Sequence, residues 1–183
     1  CVVVGVFIWL VKENSELQRL KQSVTETVQS AENKQLQETL EKIRTQATTI
    51  TDNLNDYNWI GSEEDGKISY LDDEGVVKKV LVYPSLSQDG YYEEYYYWEG
   101  ELFFAYIWAD HNTLSYLKEG EQKVDLYYYD DGKLIRWIDE NNVCHDNETD
   151  NEEYVDRGKK YWDQAEEYKS QLNASVSSTD TDE

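Results

Sequence analysis

The run Tyr91-Tyr92-Glu93-Glu94-Tyr95-Tyr96-Tyr97-Trp98-Glu99-Gly100-Glu101-Leu102-Phe103-Phe104-Ala105-Tyr106-Ile107-Trp108 decides the fold. Two aromatic stretches, made of side chains that suit a pleated, half-buried surface, flank an acidic-Gly pair able to close a tight turn. This predicts a β-hairpin. The same design recurs over residues 68–82, about Asp73-Glu74-Gly75, and over residues 124–138, about Asp131-Gly132. Three hairpins in succession predict an antiparallel meander over residues 66–140.

A two-residue Asp-Gly loop sets the pairing of the last hairpin: Asp130 faces Lys133, Tyr128 faces Ile135, Tyr127 faces Arg136 and Leu126 faces Trp137. Val124, Leu126, Tyr128, Ile135 and Trp137 then form the better core side, and Asp125, Tyr127, Tyr129, Leu134 and Arg136 the wetter one. In the middle hairpin the same rule gathers Tyr91, Tyr95, Tyr97, Phe104, Tyr106 and Trp108 on one face and Tyr92, Tyr96, Phe103 and Ile107 on the other. Both faces are aromatic. Either helices cover both, or one stays open for a ligand. For the open case the expected binding set is Tyr95, Tyr97, Phe104, Tyr106, Trp108 and Glu93. Such rings suit sugar stacking or the caging of a cation, with Glu93, Glu94 and Glu101 adding attraction for a positive group.

Helices flank the meander. Residues 13–57 are rich in Glu, Gln, Lys and Leu, and Ser15 with Gln18 offers a capping box for a helix starting just after the apolar segment. At 1.5 Å per residue such a helical stalk extends on the order of 55 Å. Leu36, Leu40, Ile43, Ala47, Ile50, Leu54 and Tyr57 alternate spacings of four and three, the seam of a coiled coil. Leu17, Leu20, Val24, Thr27 and Ala31 follow a different frame, so a register break is expected near residues 31–36. Residues 51–66 read as a hinge and residues 139–153 as an acidic, Asn-rich loop. Tyr154, Gly158, Tyr161, Ala165, Tyr168 and Leu172 give a second amphipathic helix over residues 150–172, with Gly158 its weak point. The Ser/Thr/Asp-rich residues 173–183 read as a disordered tail. The fold class is therefore α+β: a long coiled-coil-like helix, a three-hairpin meander and a C-terminal helix packing back on sheet or stalk.

A net charge of −22, from 39 acids against 17 basic residues, excludes nucleic acid as a partner, because phosphates are held by Lys and Arg. Met is absent, so the sequence reads as a processed or truncated product. Residues 1–11, Cys-Val-Val-Val-Gly-Val-Phe-Ile-Trp-Leu-Val, are uncharged but shorter than the 20 or so apolar residues a membrane-spanning helix needs. Residues 1–12 therefore read as a lipidated N-terminus at Cys1, as part of a signal anchor, or as a buried strand. The first two place the chain on the extracytoplasmic face of a bacterial membrane, at the cell surface, with the membrane as a partner.

Catalytic chemistry finds little support. Cys144, His145 and Asp146 are consecutive, and neighbouring side chains diverge, whereas triads assemble from distant segments. Asp146-Asn147-Glu148-Thr149-Asp150 lacks the EF-hand pattern and reads as a solvated acidic loop, so no metal or other cofactor is expected. Paired carboxylates among Glu93, Glu94, Glu99 and Glu101 leave a sugar-active hydrolase as a minor alternative.

The units Tyr95-Tyr96-Tyr97-Trp98-Glu99-Gly100-Glu101-Leu102 and Tyr127-Tyr128-Tyr129-Asp130-Asp131-Gly132-Lys133-Leu134 resemble the hairpin repeats of MORN-type and choline- or glucan-binding surface proteins. The resemblance covers residues 68–138 and implies non-enzymatic binding at a cell surface. Irregular spacing and missing Gly-Trp openings depart from the choline-binding pattern. Two roles are expected: a module binding a carbohydrate or cationic ligand, and a spacer or homo-oligomer assembled through its coiled coil.

Overall fold

A computed structural model describes the backbone of residues 2–83 and 90–179 and the side chains of residues 21–22, 25–83 and 90–172. Helix α1 is Val2–Asp52, and a single 3-10 turn, Leu54–Asp56, follows it. The strands are β1 (Asn58–Ser62), β2 (Lys67–Leu71), β3 (Val77–Val82), β4 (Tyr91–Trp98), β5 (Glu101–Asp110), β6 (Gln122–Asp130), β7 (Lys133–Ile138) and β8 (Cys144–Asp146). Helix α2 is Glu152–Thr179. The fold is α+β, with one eight-stranded antiparallel sheet whose strands lie in chain order. The chain divides into two compact units, Cys1–Glu41 and Lys42–Glu183. The first is helix throughout its described length; the second holds the end of α1, the sheet and α2.

Several boundaries differ from those expected. Helix α1 runs unbroken from Val2, so Ser15 lies inside the helix instead of capping it. The sheet gains β1 from the expected hinge and β8 from the expected acidic loop. Neither Gly nor Pro interrupts residues 173–179, and α2 accordingly continues to Thr179; residues 180–183 of the expected tail lie outside the described residues.

The two acidic-Gly turns close as anticipated at their tips. Glu99 (φ 52°) with Gly100 (φ 83°), and Asp131 (φ 49°) with Gly132 (φ 72°), take the paired positive φ of a type I′ turn, whose twist matches that of the flanking strands. Trp98 pairs with Glu101 and Tyr97 with Leu102; Asp130 pairs with Lys133 and Tyr129 with Leu134. Beyond that point each second strand carries one extra residue. Phe103 and Ile135 are bulged, so Tyr96 meets Phe104, Tyr128 meets Arg136 and Tyr127 meets Trp137. In β3 the residue skipped by the register is Lys78. Because side chains alternate faces, a slip of one residue exchanges the two sides of the partner strand. That corrects the expected faces: Tyr127 and Tyr129, placed on the wetter side, belong with Trp137 to the core.

The core lies between the sheet and α2. Val80, Val82, Tyr95, Tyr97, Leu102, Ala105, Ile107, Tyr127, Tyr129 and Trp137 point to the helix, which buries Tyr154, Tyr161, Ala165 and Leu172 against them. The helix starts at Asn151, whose Oδ1 accepts from the backbone N–H groups of Glu153 and Tyr154, with Glu152 and Glu153 favourably placed in the first turn. It crosses the strands. Tyr154 Oη donates to Leu134 O in β7 (2.7 Å), Tyr129 Oη in β6 donates to Gly158 O (2.8 Å) and Tyr97 Oη in β4 donates to Ala165 O (2.8 Å). Strands β4 and β6 stand two places apart, about 9.6 Å at 4.8 Å per strand. Gly158 and Ala165 stand two helical turns apart, about 10.5 Å at 1.5 Å per residue. The equal spacings let two equivalent tyrosines, each two residues before its turn pair, tie the same helix down. Gly158 fits this approach: a Cβ there would come within 2.9 Å of Leu134 Cδ2.

Candidate functional site

The bulges sort the aromatic rings into a sealed face and a partly open one. On the α2 side, Tyr95 and Tyr97 are fully buried and Glu93 is 2 % exposed. Glu93 accepts hydrogen bonds from Tyr95 Oη (2.6 Å) and Tyr91 Oη (2.8 Å), so its carboxylate is occupied beneath the helix. Burial, followed by the Glu93 carboxylate, raises the Tyr91 and Tyr95 phenols far above their ordinary value of 10.0. Burial and then Glu93 likewise push Tyr168 up to about 12. Tyr91 and Tyr95 are thus neutral donors to Glu93.

The opposite face carries Tyr92, Glu94, Tyr96, Phe104, Tyr106 and Trp108 in register across β4 and β5. Tyr92 is the centre of a ring cluster, with Trp108 at 5.1 Å and Tyr106 at 6.0 Å, both inclined by 23°, and Tyr83 at 6.4 Å. All four rings are half-buried. Burial is the largest influence raising both the Tyr92 and the Tyr106 phenol. Trp108 Nε1 donates to Gln122 Oε1 (3.0 Å), which fixes the indole plane. Farther along, Phe104 packs on Tyr128 at 5.0 Å and on Tyr96 at 5.5 Å, and the bulged Phe103 also meets Tyr96.

Charge on this face is internally balanced. Glu94 accepts from Tyr96 Oη (2.6 Å) and pairs with Lys79 Nζ (2.9 Å), whose ammonium lies 4.8 Å from the Tyr96 ring centroid. Arg136 makes a two-pronged pair with Asp146 (2.5 and 2.6 Å). The last turns of α1 approach the same face: Thr51 Oγ1 lies 3.3 Å from Tyr96 Oη and the Arg44 guanidinium 5.8 Å from the Tyr128 ring centroid. Together with Ala47, Thr48, Asp52, Tyr96 and Phe104 they line a cleft of about 270 Å³.

The six residues expected to bind ligand therefore do not share a surface. Tyr95, Tyr97 and Glu93 lie under α2, whereas Phe104, Tyr106 and Trp108 lie on the other side, because the Phe103 bulge exchanged the faces of β5 relative to β4. Tyr92, assigned to the opposite face, joins Tyr106 and Trp108. No sequence signal marked Phe103 as the extra residue. The acids also separate: Glu93 is under the helix, Glu94 is on the opposite face, and Glu99 is in the turn with Glu101 beside it.

Cys144, His145 and Asp146 diverge as neighbours on a strand must. Cys144 is exposed, His145 stacks on Trp137 (4.5 Å) with Nδ1 3.1 Å from both Glu148 carboxylate oxygens, and Asp146 pairs with Arg136. Among the described residues no group of three His, Cys, Asp or Glu side chains is arranged to hold a metal ion. No family model matches the chain, and no curated protein or solved structure matches it.

Proposed function

We propose that this chain is a non-enzymatic recognition module, held at the extracytoplasmic face of a bacterial membrane by its N-terminus, which engages a ligand through the sheet face opposite α2. One observation carries the reading: Tyr83, Tyr92, Tyr106 and Trp108 form a contiguous ring cluster that is only half-buried, while the other face of the same strands is sealed. Rings that serve packing alone gain most by full burial, as Tyr95 and Tyr97 do. Tyr83, Tyr92 and Tyr106 keep hydroxyls beside their rings, the combination that suits an uncharged, hydroxylated ring ligand. The balanced Glu94–Lys79 pair leaves that carboxylate already neutralised, which favours a carbohydrate over a cationic ligand.

Tethering is supported by the uncharged residues 1–11. No helix among the described residues is long and apolar enough to cross a membrane. Helix α1, continuous over 51 residues, favours a second, compatible role as a spacer or coiled coil.

Calorimetric titration of the full chain with neutral glucan and chitin oligosaccharides, and separately with choline, tests the ligand reading. Saturable oligosaccharide binding is expected, weakened about tenfold, or about 1.4 kcal/mol, by Trp108→Ala or Tyr92→Ala. Tyr116→Ala, at an exposed ring outside the cluster, should leave it unchanged. Binding of choline alone would reverse the choice of ligand class, and binding of neither would overturn the proposal.

A further inference from the structure

The sheet has two edges, and they are built differently. Strand β8 is three residues long and carries Asp146 in an ion pair, two devices that discourage further pairing. Strand β1 has five residues, Asn58-Trp59-Ile60-Gly61-Ser62, and among the described residues pairs with β2 alone. It lacks Lys, Pro and every charged side chain, although 31 % of the chain is charged and its net charge is −22. Trp59 is 68 % exposed and Ile60 42 % exposed, so both faces of the strand present apolar surface to water. Among the described residues nothing covers this uncharged edge, and an edge of this length is a template for another strand.

We infer that the β1 edge docks a second copy of this chain, the two β1 strands pairing antiparallel about a two-fold axis at Ile60. The strand is self-complementary in that register. Ile60 meets Ile60, Asn58 meets Ser62, and each Trp59 lies across from Gly61, the one residue without a side chain to oppose an indole. Gly61 is required at its place for another reason as well: its φ is 92°, and a Cβ would lie 2.2 Å from Lys67 O in β2. An isologous contact closes on itself and joins the two eight-stranded sheets into one. Charge argues for the same partner, since β1 is a strip along which two strongly acidic chains can meet without setting carboxylates opposite each other. Only at its ends do Asp56 and Glu64 of the two copies come opposite, which makes the association favoured by added salt.

Cysteine cross-linking in the full chain, with Cys1 and Cys144 replaced by Ser, tests the register. Directly opposed residues in an antiparallel pair have Cα atoms about 4.5–5.5 Å apart, within the roughly 4.4–6.8 Å that a disulfide spans. Ile60→Cys should therefore form a covalent dimer under mild oxidation, with a yield that rises with salt. Asn58→Cys alone should not, whereas Asn58→Cys combined with Ser62→Cys should. Reduced Ile60→Cys melting like its parent confirms that the strand is intact. An Ile60→Cys chain that stays monomeric, an Asn58→Cys chain that links equally well, or a yield that falls with salt would each overturn the inference.

Discussion

Removing one hydroxyl from Tyr97 or from Tyr129 tests whether α2 is docked by matched tyrosines. Each Oη is buried and donates over 2.8 Å to a helix carbonyl, Ala165 O or Gly158 O. Replacement by Phe keeps the ring, so the loss is that of one buried hydrogen bond, about 1 kcal/mol. The orphaned carbonyl adds little, because Ala165 O and Gly158 O lie inside α2, where a helix N–H also reaches them. The two sites are about 10 Å apart on the helix and share no partner, so the double variant should lose about 2 kcal/mol. Urea unfolding monitored by circular dichroism reads this as a lower midpoint at unchanged slope. Tyr116→Phe, at a ring 62 % exposed, is the control and should shift the midpoint hardly at all. Midpoints for Tyr97→Phe and Tyr129→Phe no lower than that control would refute the docking account.

Ile43, 3 % exposed, should tolerate Asp poorly: the lost burial and an unpaired charge together cost about 3–5 kcal/mol, visible as a large fall in melting temperature. Gly61→Ala must accept both a positive φ and a Cβ clash with Lys67 O, so a loss of about 2–3 kcal/mol is expected in the same assay. Burial raises Tyr95, Tyr97, Tyr127 and Tyr129 above 10.0, and Tyr154 and Tyr168 up to about 12. A phenol whose folded value exceeds its unfolded one stabilises fully below pH 10 and loses that contribution as pH rises through the folded value. Alkaline titration should thus show phenolate absorbance rising together with unfolding between about pH 10 and 12, and full ionisation at pH 10 in a folded protein would contradict it.

Turn chemistry made much of the sheet legible. Glu99-Gly100 and Asp131-Gly132 announced their own positive φ values, and the pairs nearest each turn followed from them. The stripe of Tyr154, Tyr161, Ala165 and Leu172 likewise announced the buried side of α2. What stayed hidden was one residue per strand. Nothing in Leu102-Phe103-Phe104-Ala105 says that Phe103 lacks a partner, since both phenylalanines suit either face, yet that bulge decides which rings are sealed. Strand β1 was hidden for a different reason: five uncharged residues between Asn- and Asp-rich neighbours resemble a hinge until they are seen to pair with β2. Glu93 and Glu94 showed only that one of them had to face each way; which one is buried depended on α2.

The most direct test of the central claim is residue-resolved hydroxyl-radical footprinting of the folded full chain, with and without saturating neutral oligosaccharide. Tyr83, Tyr92, Tyr106 and Trp108 should be oxidised in the free protein and protected by the sugar, while Tyr95, Tyr97, Tyr127 and Tyr129 stay unmodified in both. Equal protection of both sets in the free protein, or sugar protection that falls elsewhere than on the first set, would contradict an open recognition face opposite α2.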